Sequence, residues 1–382
     1  MLNSNRRQFL QQLGLLSCVS ALPVPALAAA QPSLWLSAAT SAEGDGMALF
    51  GSAGQREVIA TGFRGHGLCL SPDGRRAVMM ARRPGLEGVE LQASGNERVR
   101  QFHSRPDRQF QGHACYSGDG KRLFTSETVI SDNPLEHGLG RIGIRDADTF
   151  EWLGDMSSGG VEPHELRLMP DQRTLVIANG GLRPSPVDGR ESIDGEHMQS
   201  SLVMLDSISG DIVSTDTLSE SKASIRHLDI AADGTVVVAL QVQRQWLNDS
   251  DVRALVAVKR PGQSLETLPA PENLWLALDD YMGSVVVHRD LNIAGVTSPR
   301  GNLAVFWALT EGQLLGYFPL HDVCGIGLTP DGQHFVLTNS AGDIRYIDPV
   351  TLQENKTMRQ HTAGVRWDNH LSSPLPAAFI RT

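Results

Sequence analysis

The apolar positions of this chain gather into short runs that come in pairs, each pair wrapped around a tight polar turn. The pairs recur at 64–83 (RGHGLCLSPDGRRAVMMARR), 111–128 (QGHACYSGDGKRLFTSET), 161–180 (VEPHELRLMPDQRTLVIANG), 224–241 (SIRHLDIAADGTVVVALQ) and 322–340 (DVCGIGLTPDGQHFVLTNS). Turns such as P-D-G, G-D-G and A-D-G between two apolar runs have the chemistry of an antiparallel hairpin. The first strand of each hairpin is termed A and the second B. A third run follows at 141–151, 201–211, 255–263 and 344–353, and a fourth at Ile212–Thr217 and Gln313–Leu320. Four antiparallel strands, repeated at intervals of roughly 40–65 residues, predict an all-β fold of the propeller kind, in which radial closure protects the sheet edges.

Tyr281–Trp307 fits the same template with a degenerate turn at His288–Leu291, which makes six units. Runs at 33–40, 47–51 and 56–62 read as strands B, C and D, and the run at 365–371 reads as strand A. The two ends then share one blade. The expected fold is a seven-bladed β-propeller of four-stranded antiparallel blades, occupying 31–382 as one domain and closed by strand pairing between the N- and C-terminal segments.

Strand A opens on or beside a histidine in four of the pairs, at His66, His113, His164 and His227. The pair at 322–340 carries Cys324 there, no histidine opens strand A of Tyr281–Trp307, and the closing strand brings His370 near the position of His66. Because strand A is the innermost of a blade, these side chains are expected to converge at one mouth of the central channel. Imidazole and thiolate suit borderline metals such as iron, copper or zinc, and ligands from separate blades need no short spacing in sequence. The plainer alternative makes the histidines repeat-consensus residues, their ring nitrogens bonded to backbone where blades meet, with the glycines beside His66 and His113 allowing close packing.

Two long insertions between strands B and C, Val129–Gly140 and Leu182–Ser200, are assigned to the same face, and long loops in a compact domain often bind. His137, Arg183, Arg190 and His197 are placed at that mouth. Glu127, Asn179, Gln241, Arg300 and Asn339 at B-strand ends, with Arg226 beside His227, complete the candidate ligand-binding set. The ligand is a small molecule or a partner protein.

Charge narrows the partners. The 33 Lys and Arg against 43 Asp and Glu leave a net charge of −10, and no basic run occurs outside the N-terminus, which excludes electrostatic binding of nucleic acid. His164-Glu165 lacks the second histidine of a zinc-protease helix, and no phosphate loop, nucleophile elbow or dinucleotide fingerprint occurs. Residues Ser4 to Leu10 carry a twin-arginine export pattern, followed by an apolar stretch to Leu22 and small residues at 26–30. A signal peptide over 1–30 and a periplasmic location are expected. The apolar stretch is too short to be a membrane span. Cys69, Cys115 and Cys324 remain after processing, an odd number that argues against a disulfide framework.

Several longer motifs occur together with the export signal: Pro163-His164-Glu165-Leu166, Ala178-Asn179-Gly180-Gly181, Met198 to Leu202, Ser224 to Leu228, Tyr281 to Ser284, Ser298 to Gly301 and Asp322 to Gly325. This set resembles a bacterial family of domains of unknown function, and the resemblance covers essentially the whole mature chain. Members of that family look like YVTN-type seven-bladed propellers and are often encoded beside imelysin-type iron-regulated proteins and a di-haem oxidoreductase. The resemblance implies a fold, a compartment and an association with periplasmic iron uptake. It implies no catalytic residue.

Overall fold

The computed structural model describes residues 34–93, 99–185, 192, 195–220, 222–375 and 379. The expected signal segment lies outside them. The paired runs fold into seven four-stranded antiparallel sheets, six of them local meanders. Blade 1 is Gly65–Leu70, Arg76–Ala81, Glu87–Gln92 and Val99–His103, and blade 2 is Arg108–Tyr116, Arg122–Val129, Leu139–Asp146 and Trp152–Val161. Blade 3 is Pro163–Leu168, Thr174–Asn179, Ser201–Asp206 and Ile212–Asp216, and blade 4 is Ala223–Ile230, Val236–Val242, Val256–Lys259 and Leu265–Thr267. Blade 5, with the degenerate turn, is Ser284–His288, Ile293–Ser298, Leu303–Ala308 and Gln313–Pro319. Blade 6 is Val323–Leu328, Phe335–Asn339, Asp343–Ile347 and Gln360–His361. No helix among the described residues is long and apolar enough to cross a membrane.

Blade 7 is the shared one. Arg366–Trp367 pairs with Leu34–Ser41, which continues into Gly44–Gly51 and Arg56–Ala60. Only two residues make the formal strand A there, but Asp368, Ser372 and Leu375 go on donating their backbone N–H groups to Ala38, Leu36 and Leu34 at 2.9, 2.9 and 2.7 Å. The closure is a run of backbone bonds rather than a covalent link.

Both faces of most sheets are covered by neighbouring blades, so the inner strands are apolar on both sides and read as continuous runs. Val78 and Met80 of blade 1 pack with Phe110 and Leu123 of blade 2, and Ile293 and Phe306 of blade 5 with Phe335 and Leu337 of blade 6. Trp35 and Phe50 of blade 7 pack with Val336 and Tyr346 of blade 6, so the closing blade is held by side chains as well as by its ladder. Full burial of one such side chain contributes about 1.5–3 kcal/mol.

Strand A departs from regular pairing at one place. Its register with strand B slips between Gly65 and Leu68, Phe110 and Ala114, Pro163 and Glu165, Ile225 and His227, and Val323 and Ile326. His66, His113 and His164 lie inside these slips and His227 closes one. Blade 5, which has Ser284 and not a histidine at the head of strand A, pairs without interruption. A bulge leaves a residue out of the ladder and re-aims its side chain, and here it turns the rings out of the blade interface and into the channel.

Candidate metal centre

Five imidazoles from five blades meet in the channel. His66 stands 4.9 Å from His113 and 4.8 Å from His370 between ring centroids, His164 stands 4.8 Å from His227, and His227 stands 4.3 Å from His370. None of the five is more than 8% exposed. This approach needs glycine beside two of them. A Cβ on Gly67 would sit 2.4 Å from both the Gly112 carbonyl oxygen and Nδ1 of His113, and one on Gly112, which has φ +104°, would sit 2.7 Å from Cδ2 of His66.

The ring nitrogens show what the cluster lacks. Nδ1 of His227 bonds a carboxylate oxygen of Glu165 at 3.1 Å, and Nδ1 of His370 bonds Oγ of Ser284 at 3.1 Å. Both nitrogens of His66, Nε2 of His113, Nδ1 of His164 and Nε2 of His370 are buried without a hydrogen-bond partner. Among the described residues, no ring nitrogen of the five bonds a backbone group. A buried polar atom left unpaired costs about 1–3 kcal/mol, and a bound cation would satisfy several at once.

Ligand atoms of His66, His113, His164 and His227 lie within 4.8 Å of one another, as do those of Glu165, His227 and His370. Metal–nitrogen bonds of about 2.0–2.1 Å in a tetrahedron set nitrogens roughly 3.4 Å apart, a modest contraction of this group. All five rings are neutral at physiological pH, with lone pairs free to ligate. Burial lowers every one of them first, reinforced for His66, His164 and His370 by the neighbouring rings, and His113 falls to about 3. Glu165 is held well below the ordinary carboxylate range; its burial opposes this and is outweighed by the Arg167 guanidinium and the bond from His227. A carboxylate behind a ligating imidazole fixes its tautomer and raises its basicity. Sequence reading missed Glu165 in this role because its importance depends on His227, which lies one blade away.

Cys324 stands apart from the cluster. Its thiol contacts the Asp322 carbonyl oxygen at 3.0 Å and is pushed far up by burial, and it lines a cavity of about 420 Å³ with Arg64, Arg82, Asp322 and Asp368. That cavity lies at the end of the channel where strands A begin. The second cavity, about 510 Å³, lies toward the A–B turns and is lined by strand-A residues of all seven blades, including His113 and His370. Of the five histidines, His113 and His370 line this cavity, which lies away from the end that carries the long loops.

The ligand-binding candidates line neither cavity among the described residues. Glu127 is buried against Arg145 and Arg108, Asn179 donates to the Ser158 carbonyl oxygen at 3.0 Å, and Asn339 donates to that of His321 at 2.9 Å. Arg226 is buried on Glu162 at 2.7 Å. Arg183 donates to the carbonyl oxygen of His137, whose Nε2 bonds that of Pro184, so the two long loops are tied to each other. Gln241 is half-buried and bridges Tyr281, Arg300 stacks over the Tyr281 ring, and His197 is exposed. Arg190 lies outside the described residues.

Fold and site together define a seven-bladed β-propeller whose channel gathers histidines from five blades. Residues 59–373 match the family described as "Protein of unknown function (DUF1513)", and the chain belongs to that family. No curated protein matches the chain.

Proposed function

We propose that this chain is a periplasmic metal-binding propeller that holds a transition-metal ion in its channel. His66, His113, His164 and His227 are the ligands, His370 flanks them and Glu165 fixes His227. The observation that carries this reading is the set of five buried ring nitrogens without a partner. Neutral imidazoles suit iron, copper or zinc. A twin-arginine export pattern, which serves proteins that fold before export, agrees with loading before the membrane is crossed. The resemblance to proteins encoded beside iron-regulated genes supports a role in iron handling.

The rival reading, a ligand or partner protein held at the loop-bearing mouth, has less support because Glu127, Asn179, Arg226 and Asn339 are buried and each is held by at least one hydrogen bond or ion pair. The test is metal analysis of the chain exported by its native host. Stoichiometric metal in the wild type, lost in the triple variant His66→Ala, His164→Ala, His227→Ala, is expected. A metal-free wild type, with the triple variant equally stable to heat, overturns the proposal.

A further inference from the structure

The cavity beneath the cluster has the features of a ligand chamber. Its volume of about 510 Å³ lies within the usual range for small-molecule sites, roughly 300–1,000 Å³. Leu70, Leu168, Val286, Leu328 and Leu371 line it, and all five are only partly buried, so apolar surface faces this internal space. At its inner end stand His113, His370 and Glu165, and an ion held by these rings is reached from this side.

Among the described residues lining the cavity, Arg167 is the cation at that inner end. It gives Nε to Glu165 at 2.9 Å and Nη1 to Asp229 at 3.1 Å, which leaves Nη2 for another acceptor, and its side chain is 40% exposed on the cavity wall. Asp229 is itself fixed by the Val287 N–H at 2.7 Å. Arg289 and Asp290 line the cavity farther out, both exposed and of opposite sign. With a divalent ion in place, two charges on the metal and one on Arg167 face one each on Glu165 and Asp229, an excess of one positive charge.

We infer that this cavity takes a monocarboxylate with an apolar body, its head between the metal and Nη2 of Arg167 and its chain along the leucine wall. The inference rests on the metal reading above and names the class of ligand for that centre. A monoanion removes the excess charge, a planar carboxylate matches the guanidinium edge, and the apolar wall rewards a longer chain.

The test uses the full mature chain loaded with cobalt(II) and titrated with straight-chain acids from acetate to octanoate, followed by the visible absorption of the metal. Each added methylene is expected to tighten binding about fourfold, the effect of burying one CH₂. Octanol is expected to bind at least tenfold more weakly than octanoate. Val286→Trp, compared at equal cobalt occupancy, is expected to end the gain at a shorter acid. Failure to take up cobalt sinks the metal centre itself. Uptake of cobalt with no response to the acids, affinity independent of chain length, or octanol equal to octanoate overturns this inference alone.

Discussion

His227 and Glu165 meet across the junction of blades 3 and 4, the ring Nδ1 3.1 Å from the carboxylate oxygen, and the same oxygen accepts the Leu228 N–H at 3.3 Å. The contact directs the other nitrogen of His227 toward the remaining rings. Glu165→Gln keeps the shape and removes the charge, so it is expected to weaken metal affinity by about 10–100-fold, the usual effect of losing such a partner. Competition with a chelator of known affinity measures this; an unchanged constant would show that Glu165 serves packing alone.

Acid should destabilise the metal-free chain. The folded state keeps all five channel imidazoles neutral because burial depresses them below 6.5. The unfolded chain binds protons below that value and the folded chain does not, so stability is complete above pH 6.5 and declines as the pH falls, for His113 down to about 3. Each such ring contributes about 1.4 kcal/mol per pH unit over its window. Thermal melting of metal-free protein between pH 7.5 and 5 should show a steep fall in Tm, and a flat profile would refute the neutral cluster.

The approach of blades 1 and 2 has no room for a side chain at Gly67, where a Cβ would lie 2.4 Å from the Gly112 carbonyl oxygen. Gly67→Ala is expected to cost about 1–3 kcal/mol through overpacking and to disturb the His66–His113 pair. Chemical denaturation gives the first quantity and metal stoichiometry the second.

Glu162 is fully buried, and it accepts hydrogen bonds from Arg226 and Arg83. Arg226→Met leaves Glu162 with Arg83 as its remaining cation, so it is expected to cost less than the about 3–5 kcal/mol of a fully broken buried pair. The double variant Arg226→Met, Glu162→Gln should cost less than the sum of the two singles. Additive losses in urea denaturation would show that the pair is not coupled.

Much of the fold was legible because propeller hairpins are local. Asp-Gly turns flanked by apolar runs mark strands A and B in blades 1, 2, 4 and 6, and even blade 5, with its degenerate turn, keeps the spacing. The shared blade followed from counting unpaired strands at the two ends. The histidines were visible as a repeat, but the state of their nitrogens was not. Arg226, Glu127, Asn179 and Asn339 looked available because a sequence does not show that a polar group is already bonded; the Glu162 that holds Arg226 is 64 positions away.

The sequence by itself determined the repeated meander and the place of a histidine at the head of strand A, since both depend on contacts between near neighbours in the chain, and it pointed to a seventh blade through the strands left over at the two ends. Only the tertiary structure decided that five rings from five blades meet with unpaired nitrogens, that Cys324 stands apart, and that His113 and His370 line the cavity toward the A–B turns. The physical reason lies in the bulges and the ring closure: one extra residue in strand A re-aims a side chain, and closing seven sheets around an axis brings residues hundreds of positions apart into contact.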